Sequence, residues 1–241
     1  MRLLNVIAAE LDKLRTLPVA ALAATGTVLV GVAIAAALTA FSADQGTSVS
    51  STDVTLQAIP YVQTGLILLG VLPVAHEYAG SQVRTTLAVV PHRGLLLTGK
   101  SVAMLVVVTV VALATVGGIL ASDAVTRHVL DAPAAEGGSE PWPVLGATAY
   151  LVLIGLLSHA VALLVRHLIP ALVAMLSLVL VVSPLLAGLT EHARWLPDRA
   201  AMQLYDPADA VLDGSTGALV MLAWTVLIGG AAAVRFIRRD P

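Results

Sequence analysis

The residues that first point to chemistry are GLLLTGKS, in the middle of the chain, from Gly94 to Ser101. They fit G-x-x-x-x-G-K-[ST], the pattern of a P-loop, in which backbone amides and a lysine hold the phosphates of a nucleotide. A P-loop needs a strand before the turn and a soluble helix after it. Here the turn positions are LLLT, and a long apolar run follows Ser101. The context therefore argues against a nucleotide site.

Composition accounts for that apolar run. Of the 241 residues, 58% are hydrophobic and 12% are charged, and the mean hydropathy of +0.93 is typical of membrane proteins. The chain has no Cys, which excludes disulfides, thiolate metal sites and thiol nucleophiles. Lys occurs only at positions 13 and 100, in a chain rich in Ala, Gly, Arg and Pro. This usage is typical of GC-rich bacterial genomes.

Six charge-free runs are long enough to cross a bilayer core of about 30 Å as helices. The predicted spans are residues 17–41, 58–76, 101–122, 143–165, 168–189 and 217–234. The sequence thus predicts an all-α polytopic membrane protein, with a transmembrane domain over residues 17–241. Prolines in the second and fifth spans predict bends there. These are Pro60, Pro73, Pro170 and Pro184.

The distribution of Lys and Arg predicts the orientation. All but three of the 13 lie on the same side of the predicted spans as the N-terminus, the exceptions being Arg127, Arg194 and Arg199. Because basic residues concentrate in cytoplasmic segments, both termini are expected in the cytoplasm. The chain is then a multi-pass protein of the inner (plasma) membrane.

Two amphipathic segments lie on that predicted cytoplasmic side. Residues 1–16 carry an apolar stripe opposite a charged face and predict an interface helix. The stripe is Leu3, Ile7, Leu11 and Leu14, and the charged face is Glu10, Asp12, Lys13 and Arg15. A second helix is predicted over residues 80–91, where Val83, Leu87 and Val90 recur at helical spacing. Each alone is typical of a membrane-surface helix, whereas the two together favour a platform that binds a protein.

Three stretches carry a resemblance to a known family: ELDKLRT, HEYAGSQVRTTLAVVPHRGLLLTGK and WLPDRAAM. Together they resemble the permease subunits of bacterial type 2 ATP-binding-cassette (ABC) exporters, over essentially the whole chain. The most specific element is E-Y-x-x-G-x-x-R-x-T-L followed by P-x-R and a Lys, with the glycine displaced by one position to Gly80. It is matched by Glu77, Tyr78, Arg84, Thr86, Leu87, Pro91, Arg93 and Lys100.

This resemblance implies that the chain forms the membrane part of a complex and that a separate protein hydrolyses ATP. Residues 80–91 would be the coupling helix that sits in a groove of a separate ATPase, and the interface helix, with Glu10, Lys13 and Arg15, would brace it. Two permease chains, as a homodimer or a related heterodimer, would join two ATPase chains, which bind ATP and magnesium. This chain would then be no enzyme and hold no cofactor or metal. Residues 190–216 would form short outer helices that dip toward the membrane.

The composition of the spans indicates a broad class of substrate. Spans rich in Ala and Val suit an amphiphilic drug, peptide or lipid-like molecule, and outward transport is implied by the resemblance alone. Membrane lipid is an expected partner, whereas basic residues are too few for a nucleic-acid surface. Contacts between the two permease chains would involve the first and fifth spans, with close approach at Gly26, Gly31 and 33–37.

Three side chains have more than one interpretation. Lys100 is expected to face headgroups or a partner protein at the mouth of the third span. Glu77 either pairs with Arg84 or another basic residue, or transmits force to the coupling helix. His159, in the fourth span, is favoured as a packing residue satisfied by a neighbouring helix over a substrate contact.

Two other functions stay open. An ion-coupled secondary transporter is disfavoured because no pair of acids lies within the spans and no clear inverted repeat relates the two halves. A membrane anchor for a cytoplasmic protein is disfavoured because six spans exceed what attachment requires.

Overall fold

The computed structural model describes residues 3–79, 92–131, 141–207 and 211–238. Within these ranges the regular structure is helical and none of it is strand. The α-helices are α1 Leu3–Thr16, α2 Pro18–Asp44, α3 Ser51–Ala79, α4 Arg93–Val129, α5 Pro141–Val165, α6 Leu168–Ser177, α7 Ser183–Ala187, α8 Pro197–Met202 and α9 Gly214–Arg238. The all-α class predicted from the sequence is confirmed.

Six helical segments of the described chain are long and apolar enough to cross a membrane. They are Pro18–Asp44, Ser51–Tyr78, Arg93–Val129, Pro141–Val165, Leu168–Ala187 and Gly214–Ile237. The chain is therefore a multi-pass membrane protein, with the spans in the predicted order. Helix α4 extends well beyond the predicted 101–122 at both ends, because the charged residues in these extensions have partners within the protein.

Helix α3 lies at the centre of the bundle. It packs against α2, α4 and α5, while α9 packs mainly against α5, and α1 lies along the first turns of α4. The most apolar stretch of α3 is 67% buried, against 17% for that of α9. We call the end of the bundle that contacts α1 the α1 end; it holds the starts of α2, α4 and α6 and the last turns of α3, α5 and α9.

The small residues of α2 pack within the chain. A Cβ atom at Gly31 would lie 3.1 Å from Ile119 and 3.2 Å from Thr115, both on α4, and Ala35 is fully buried. The expectation that Gly31 and the alanines after it serve contacts between two chains is therefore wrong for Gly31 and Ala35. Gly26 differs, because it borders an open groove between α2 and α3.

The fifth span is irregular, as its prolines predict. It begins as α6, becomes a π-helix over Leu178–Val182 and continues as α7, with Pro184 in the first turn. A π-turn is a common source of such irregularity in a long helix. Helix α3, in contrast, continues through Pro60 and Pro73 without interruption.

Short helices follow the fifth span within the described part of residues 190–216. They are a 3₁₀-helix over Glu191–Trp195 and then α8. The Trp224 indole of α9 donates a 3.0 Å hydrogen bond to the carbonyl of Trp195, which ties this segment to the last span.

Candidate functional site

Four charged side chains meet at the α1 end and form what we call the charge cluster: Glu10, Lys13, Glu77 and Lys100. Lys100 Nζ lies 2.6 Å from each carboxylate oxygen of Glu77 and 2.9 Å from Glu10 Oε2. Lys13 Nζ donates a further 2.6 Å bond to Glu77 Oε1. The cluster joins α1 to the last turn of α3 and the second turn of α4.

The charge cluster is largely withdrawn from solvent. The side chains of Glu10, Glu77 and Lys100 are each less than a tenth exposed, and that of Lys13 is 29% exposed. Two lysines balance two glutamates, so no net charge is buried. Buried charges are tolerated when they are paired and hydrogen-bonded, and the loss of one partner leaves the other uncompensated. Each member therefore depends on the others.

Lys100 is not where the sequence led us to expect it. It is 8% exposed and turned toward two acids, so the expectation that it faces headgroups or a partner protein is wrong. The reason is that Glu77 and Glu10 provide it with partners inside the protein. For Glu77, one of the predicted alternatives is confirmed, since it pairs with basic residues, Lys13 and Lys100.

The buried face of α1 also differs from the prediction. Val6, Glu10 and Leu14 are buried, whereas Ile7 and Leu11, in the predicted apolar stripe, are only partly buried. The helix is rotated so that Glu10 reaches Lys100, and the ion pair compensates for a charge on the packed face. Of the other two predicted interface residues, Lys13 joins the charge cluster and Arg15 is exposed.

The GLLLTGKS stretch is helical, since residues 93–100 form the first turns of α4. Its second glycine permits close packing, because a Cβ atom at Gly99 would lie 2.6 Å from Val6 Cγ1. Its lysine is the centre of the charge cluster. The motif thus supports the docking of α1 on α4 and does not form the turn that a P-loop requires.

The two helix ends that flank residues 80–91, the last turn of α3 and the first turn of α4, contact neighbouring helices. On the α3 side, the Arg166 guanidinium lies 5.4 Å from the ring centroid of Tyr78 and 5.8 Å from that of Phe236, distances at which cation–π attraction operates. On the α4 side, Arg93 Nη1 donates a 3.2 Å bond to the Phe236 carbonyl in the last turn of α9. The predicted coupling residues Arg84, Thr86, Leu87 and Pro91 lie outside the described residues.

The ends of α5 and α9 are joined in the same region. Arg235 Nη1 donates a 2.9 Å bond to the Leu164 carbonyl in the last turn of α5. A cation at a helix C-terminus compensates carbonyls that have no partner within the helix. The α1 end is thus a connected set of contacts among α1, α3, α4, α5 and α9.

His159 lies buried against the neighbouring helix α3, as its favoured interpretation as a packing residue predicts. It is 4% exposed, and one ring nitrogen lies beside the backbone of Gly70. Neither ring nitrogen, however, makes a hydrogen bond of ordinary geometry to any described residue. Buried polar atoms without such a bond are uncommon in folded proteins.

A second polar cluster, at the opposite end, was missed from the sequence. Asp123 of α4 is 1% exposed and accepts hydrogen bonds from Thr39 at 2.6 Å, from Ser51, and from Arg127 at 2.9 Å. Arg127 also donates to the Val49 carbonyl at 2.6 Å. The i, i+4 spacing of Asp123 and Arg127 was the available signal. These bonds fasten the α2–α3 connection to α4.

Among the described residues, no three His, Asp or Glu side chains come together as metal ligands would. Comparison of the sequence with protein-family models finds no match, and comparison with curated proteins finds none either. The functional interpretation therefore depends on the geometry of the α1 end and on the resemblance carried by the motifs.

Proposed function

We propose that this chain is the permease subunit of a bacterial type 2 ABC exporter. Two such chains form the translocation pathway in the plasma membrane, with the α1 end in the cytoplasm. A separate ATPase, present in two copies, binds residues 80–91 and supplies the energy. The cargo is an amphiphilic drug, peptide or lipid-like molecule that is moved out of the cytoplasm.

The observation that carries this proposal is the charge cluster. Residues 80–91 connect α3 to α4, and Glu77 and Lys100, on either side of the connection, pair directly with each other. Both also bind α1, through Lys13 and Glu10. A movement of residues 80–91 therefore acts on α1, α3 and α4 together, because separating the paired charges would leave them buried and without partners.

The location of the buried acids favours a partner-driven mechanism over ion coupling. Ion-coupled transporters place acids near the bilayer midplane, where they bind and release the coupling ion. Here Glu77 lies in the last turn of α3, Glu10 lies on α1, and each is bonded to a lysine. The other two buried acids of the described chain also lie away from the middle of a span: Asp123 is near the end of α4 and pairs with Arg127, and Asp198 is on the short helix α8. Acids paired in this way are suited to holding helices together, whereas ion coupling needs acids that bind and release an ion.

The test is to purify the tagged chain from membranes of its native host and measure the ATPase that accompanies it. A double variant, Arg84→Glu with Leu87→Asp, alters the predicted docking face. The matched control makes the same kinds of change at the opposite end, with Arg194→Glu and Leu189→Asp. We expect wild type and control to retain an ATPase and its ATP turnover, and the docking variant to lose both.

Two results would overturn the proposal. One is a wild-type chain that purifies without any ATPase, which would favour an ion-coupled transporter or an anchor. The other is a docking variant that retains as much ATPase as the control, which would place the partner's binding site elsewhere.

A further inference from the structure

A cavity lies between α4 and α9 on the outer surface of the bundle. Its volume is about 400 Å³, within the range of small-molecule sites, and α5 forms its floor. Helices α4 and α9 each pack on α5 but make few contacts with each other, so the cavity is open at the side. We call it the α4–α9 groove. Its lining includes Leu97, Ser101 and Leu105 of α4, Leu163 of α5, and Thr225 and Gly229 of α9.

The groove lies in the half of the bundle nearest the α1 end. Leu97 is in the second turn of α4, and Leu105 follows it by eight residues, which is about 12 Å along a helix. Leu163 is in the last turn of α5, which ends at the same end of the bundle. Leu105, on the rim, is 42% exposed. In a multi-pass membrane protein this rim contacts lipid, so the leaflet at the α1 end has access to the groove.

Ser101 gives the groove a hydrogen-bond donor. The two threonine hydroxyls of the lining are occupied, because Thr98 Oγ1 donates to the Gly94 carbonyl and Thr225 Oγ1 donates to the Met221 carbonyl, each at 2.9 Å. The Ser101 hydroxyl makes no hydrogen bond with any described residue, and its oxygen is not sealed inside the protein. A ligand with an acceptor, such as an ester carbonyl, satisfies it.

Arg235 brings a positive charge to the α1 end of the groove. Its Nη1 donates a 2.9 Å bond to the carbonyl of Leu164, the residue that follows Leu163 of the lining. The side chain is exposed, and no carboxylate of the described residues forms an ion pair with it. The guanidinium keeps further N–H donors, and guanidinium groups bind phosphate through charge-assisted hydrogen bonds.

Arg93 adds a second guanidinium at this end. It precedes Leu97 by four residues, so it lies one turn beyond the lining on the same face of α4. Its Nη1 donates a 3.2 Å bond to the Phe236 carbonyl in the last turn of α9. The two helices that form the walls of the groove therefore each contribute an arginine beyond its α1 end.

The lining itself is uncharged. It contains no Asp, Glu, Lys or Arg, and it is mainly Leu, Val, Ala and Gly with three hydroxyl side chains. An alkyl chain is suited to this surface, whereas a charged group inside it would have no counter-ion there. The arrangement thus matches a molecule with an alkyl chain, an acceptor close to one end of that chain, and a negative charge beyond the acceptor.

We propose that the α4–α9 groove binds an anionic glycerophospholipid from the leaflet at the α1 end. One acyl chain lies between α4 and α9, its ester carbonyl accepts a hydrogen bond from Ser101, and the phosphate binds Arg235 and Arg93. This site does not depend on the ATP-driven function, because it needs only the folded bundle in a membrane.

The probe for this site is phosphatidylglycerol that carries a diazirine in the middle of one acyl chain. The full-length protein is reconstituted in phosphatidylcholine vesicles with a small fraction of the probe, irradiated and digested, and labelled peptides are located by mass spectrometry. We expect labels on α4 and α9 at positions that border the groove. An absence of labels there in the wild type overturns the proposal.

Two adjacent glycines separate a specific site from the lipid that surrounds any membrane protein. A Cβ atom at Gly229 would lie 3.9 Å from Ala160, an ordinary contact, so Gly229→Leu can fill the groove without disturbing the backbone. A Cβ atom at Gly230 would meet nothing within 4 Å, and this residue does not line the groove. Gly229→Leu should lose the labelling that Gly230→Leu keeps. Equal labelling of the two variants means surrounding lipid only and contradicts the proposal.

The role of Ser101 is tested by competition with unlabelled lipids. Phosphatidylglycerol and its diether analogue have the same charge and similar chains, but only the diester has carbonyl acceptors. The diester should compete about 3- to 10-fold better in the wild type, as expected for one hydrogen bond. This preference should disappear in Ser101→Ala and persist in Thr109→Ala, which alters a hydroxyl of α4 outside the groove. Equal competition in the wild type shows that Ser101 donates no bond to the lipid.

The role of Arg235 is tested by comparing phosphatidylglycerol with diacylglycerol, which lacks the phosphate. Arg235→Gln removes the charge but keeps an N–H that can donate to the Leu164 carbonyl. The advantage of phosphatidylglycerol as a competitor should fall about 5-fold in this variant, as expected for one basic residue near anionic headgroups. Arg15→Gln, which alters an exposed arginine of α1, should leave it unchanged. The same advantage in both variants contradicts the binding of phosphate by Arg235.

Discussion

At the scale of the residue, Lys100 determines how the α1 end is held together. Its ammonium contacts both oxygens of Glu77 and one of Glu10, and it has little access to solvent. A lysine in this position binds three elements at once, because its partners come from α1 and α3 while it belongs to α4. Its removal affects more than a local contact.

The variant Lys100→Met tests that role. It leaves Glu10 and Glu77 buried with only Lys13 to balance them, and we expect the free energy of unfolding to fall by about 3 to 5 kcal/mol. Thermal unfolding of the purified protein in detergent measures the change. Arg15→Met is the control, since Arg15 lies on the same helix as Glu10 but is exposed. Similar stabilities for the two variants would contradict the role given to Lys100.

The two glycines of GLLLTGKS should respond differently to alanine. Gly99→Ala places a methyl group against Val6 and should cost about 1 to 3 kcal/mol through overpacking. Gly94→Ala meets nothing within 4 Å and should be neutral or slightly stabilising, because alanine favours the helix. The same unfolding measurement compares them. Adding Val6→Ala to Gly99→Ala should recover part of the loss; no recovery would show that the clash is elsewhere.

At the scale of the element, the sequence predicts helices far better than it predicts their rotation. Long apolar runs can satisfy their backbone in a bilayer only as helices, so the spans follow from composition. The buried face of α1 could not be read in this way. Glu10 is buried because Lys100, 90 residues further along the chain, is its partner. The periodicity of apolar residues does not contain that information, and Glu10 was placed on the charged face.

The partners of His159 could not be predicted from the sequence either. Its location in the fourth span was predicted, but whether its ring finds a partner depends on how closely α3 approaches α5 near Gly70. Asp123 was overlooked because its donors come from α2, α3 and α4, and only Arg127 is near it in sequence. In both cases the sequence showed the position of the residue along its helix but not how the neighbouring helices pack around it.

The short helix α8 makes a pH-dependent contribution to stability. Asp198 accepts a 2.6 Å bond from Ser183, and burial raises the pKa of its carboxyl above the ordinary value despite this bond. The folded state therefore holds the proton more tightly than the unfolded chain does. Stability from this group is highest below the ordinary pKa and falls as pH rises through the raised pKa.

The variant Asp198→Asn removes this titration. The melting temperature of the wild type relative to Asp198→Asn should be higher near pH 4 than near pH 7. A series of thermal scans across that interval provides the comparison. A difference that stays constant, or that grows with pH, would mean that the carboxyl is not protonated preferentially in the folded protein.

At the scale of the whole molecule, the contacts at the α1 end connect most of the helices to the two helix ends that flank residues 80–91. The charge cluster joins α1, α3 and α4, Arg93 binds the end of α9, and Arg235 binds the end of α5. A partner bound at 80–91 would thus act on the bundle through several connections. The fold itself was predictable, whereas this connectivity required the structure.

The proposed orientation places the α1 end in the cytoplasm, and single cysteines can test it. Because the chain has no Cys, any introduced thiol is labelled without background. A membrane-impermeant maleimide should modify Glu191→Cys in intact cells, since this side chain is 90% exposed at the opposite end. Arg15→Cys should react only after permeabilisation. The reverse pattern would invert the topology and place residues 80–91 beyond the reach of a cytoplasmic ATPase.

The most direct test of the central claim is the ATP turnover of the complex of this chain with the proposed ATPase, compared between wild type and Glu77→Gln. The substitution leaves residues 80–91 intact but removes the charge that both Lys13 and Lys100 bind. We predict that the variant retains the same amount of bound ATPase and that its ATP turnover falls. Unchanged turnover in a stably folded variant would contradict the claim that the charge cluster couples the ATPase to the membrane helices.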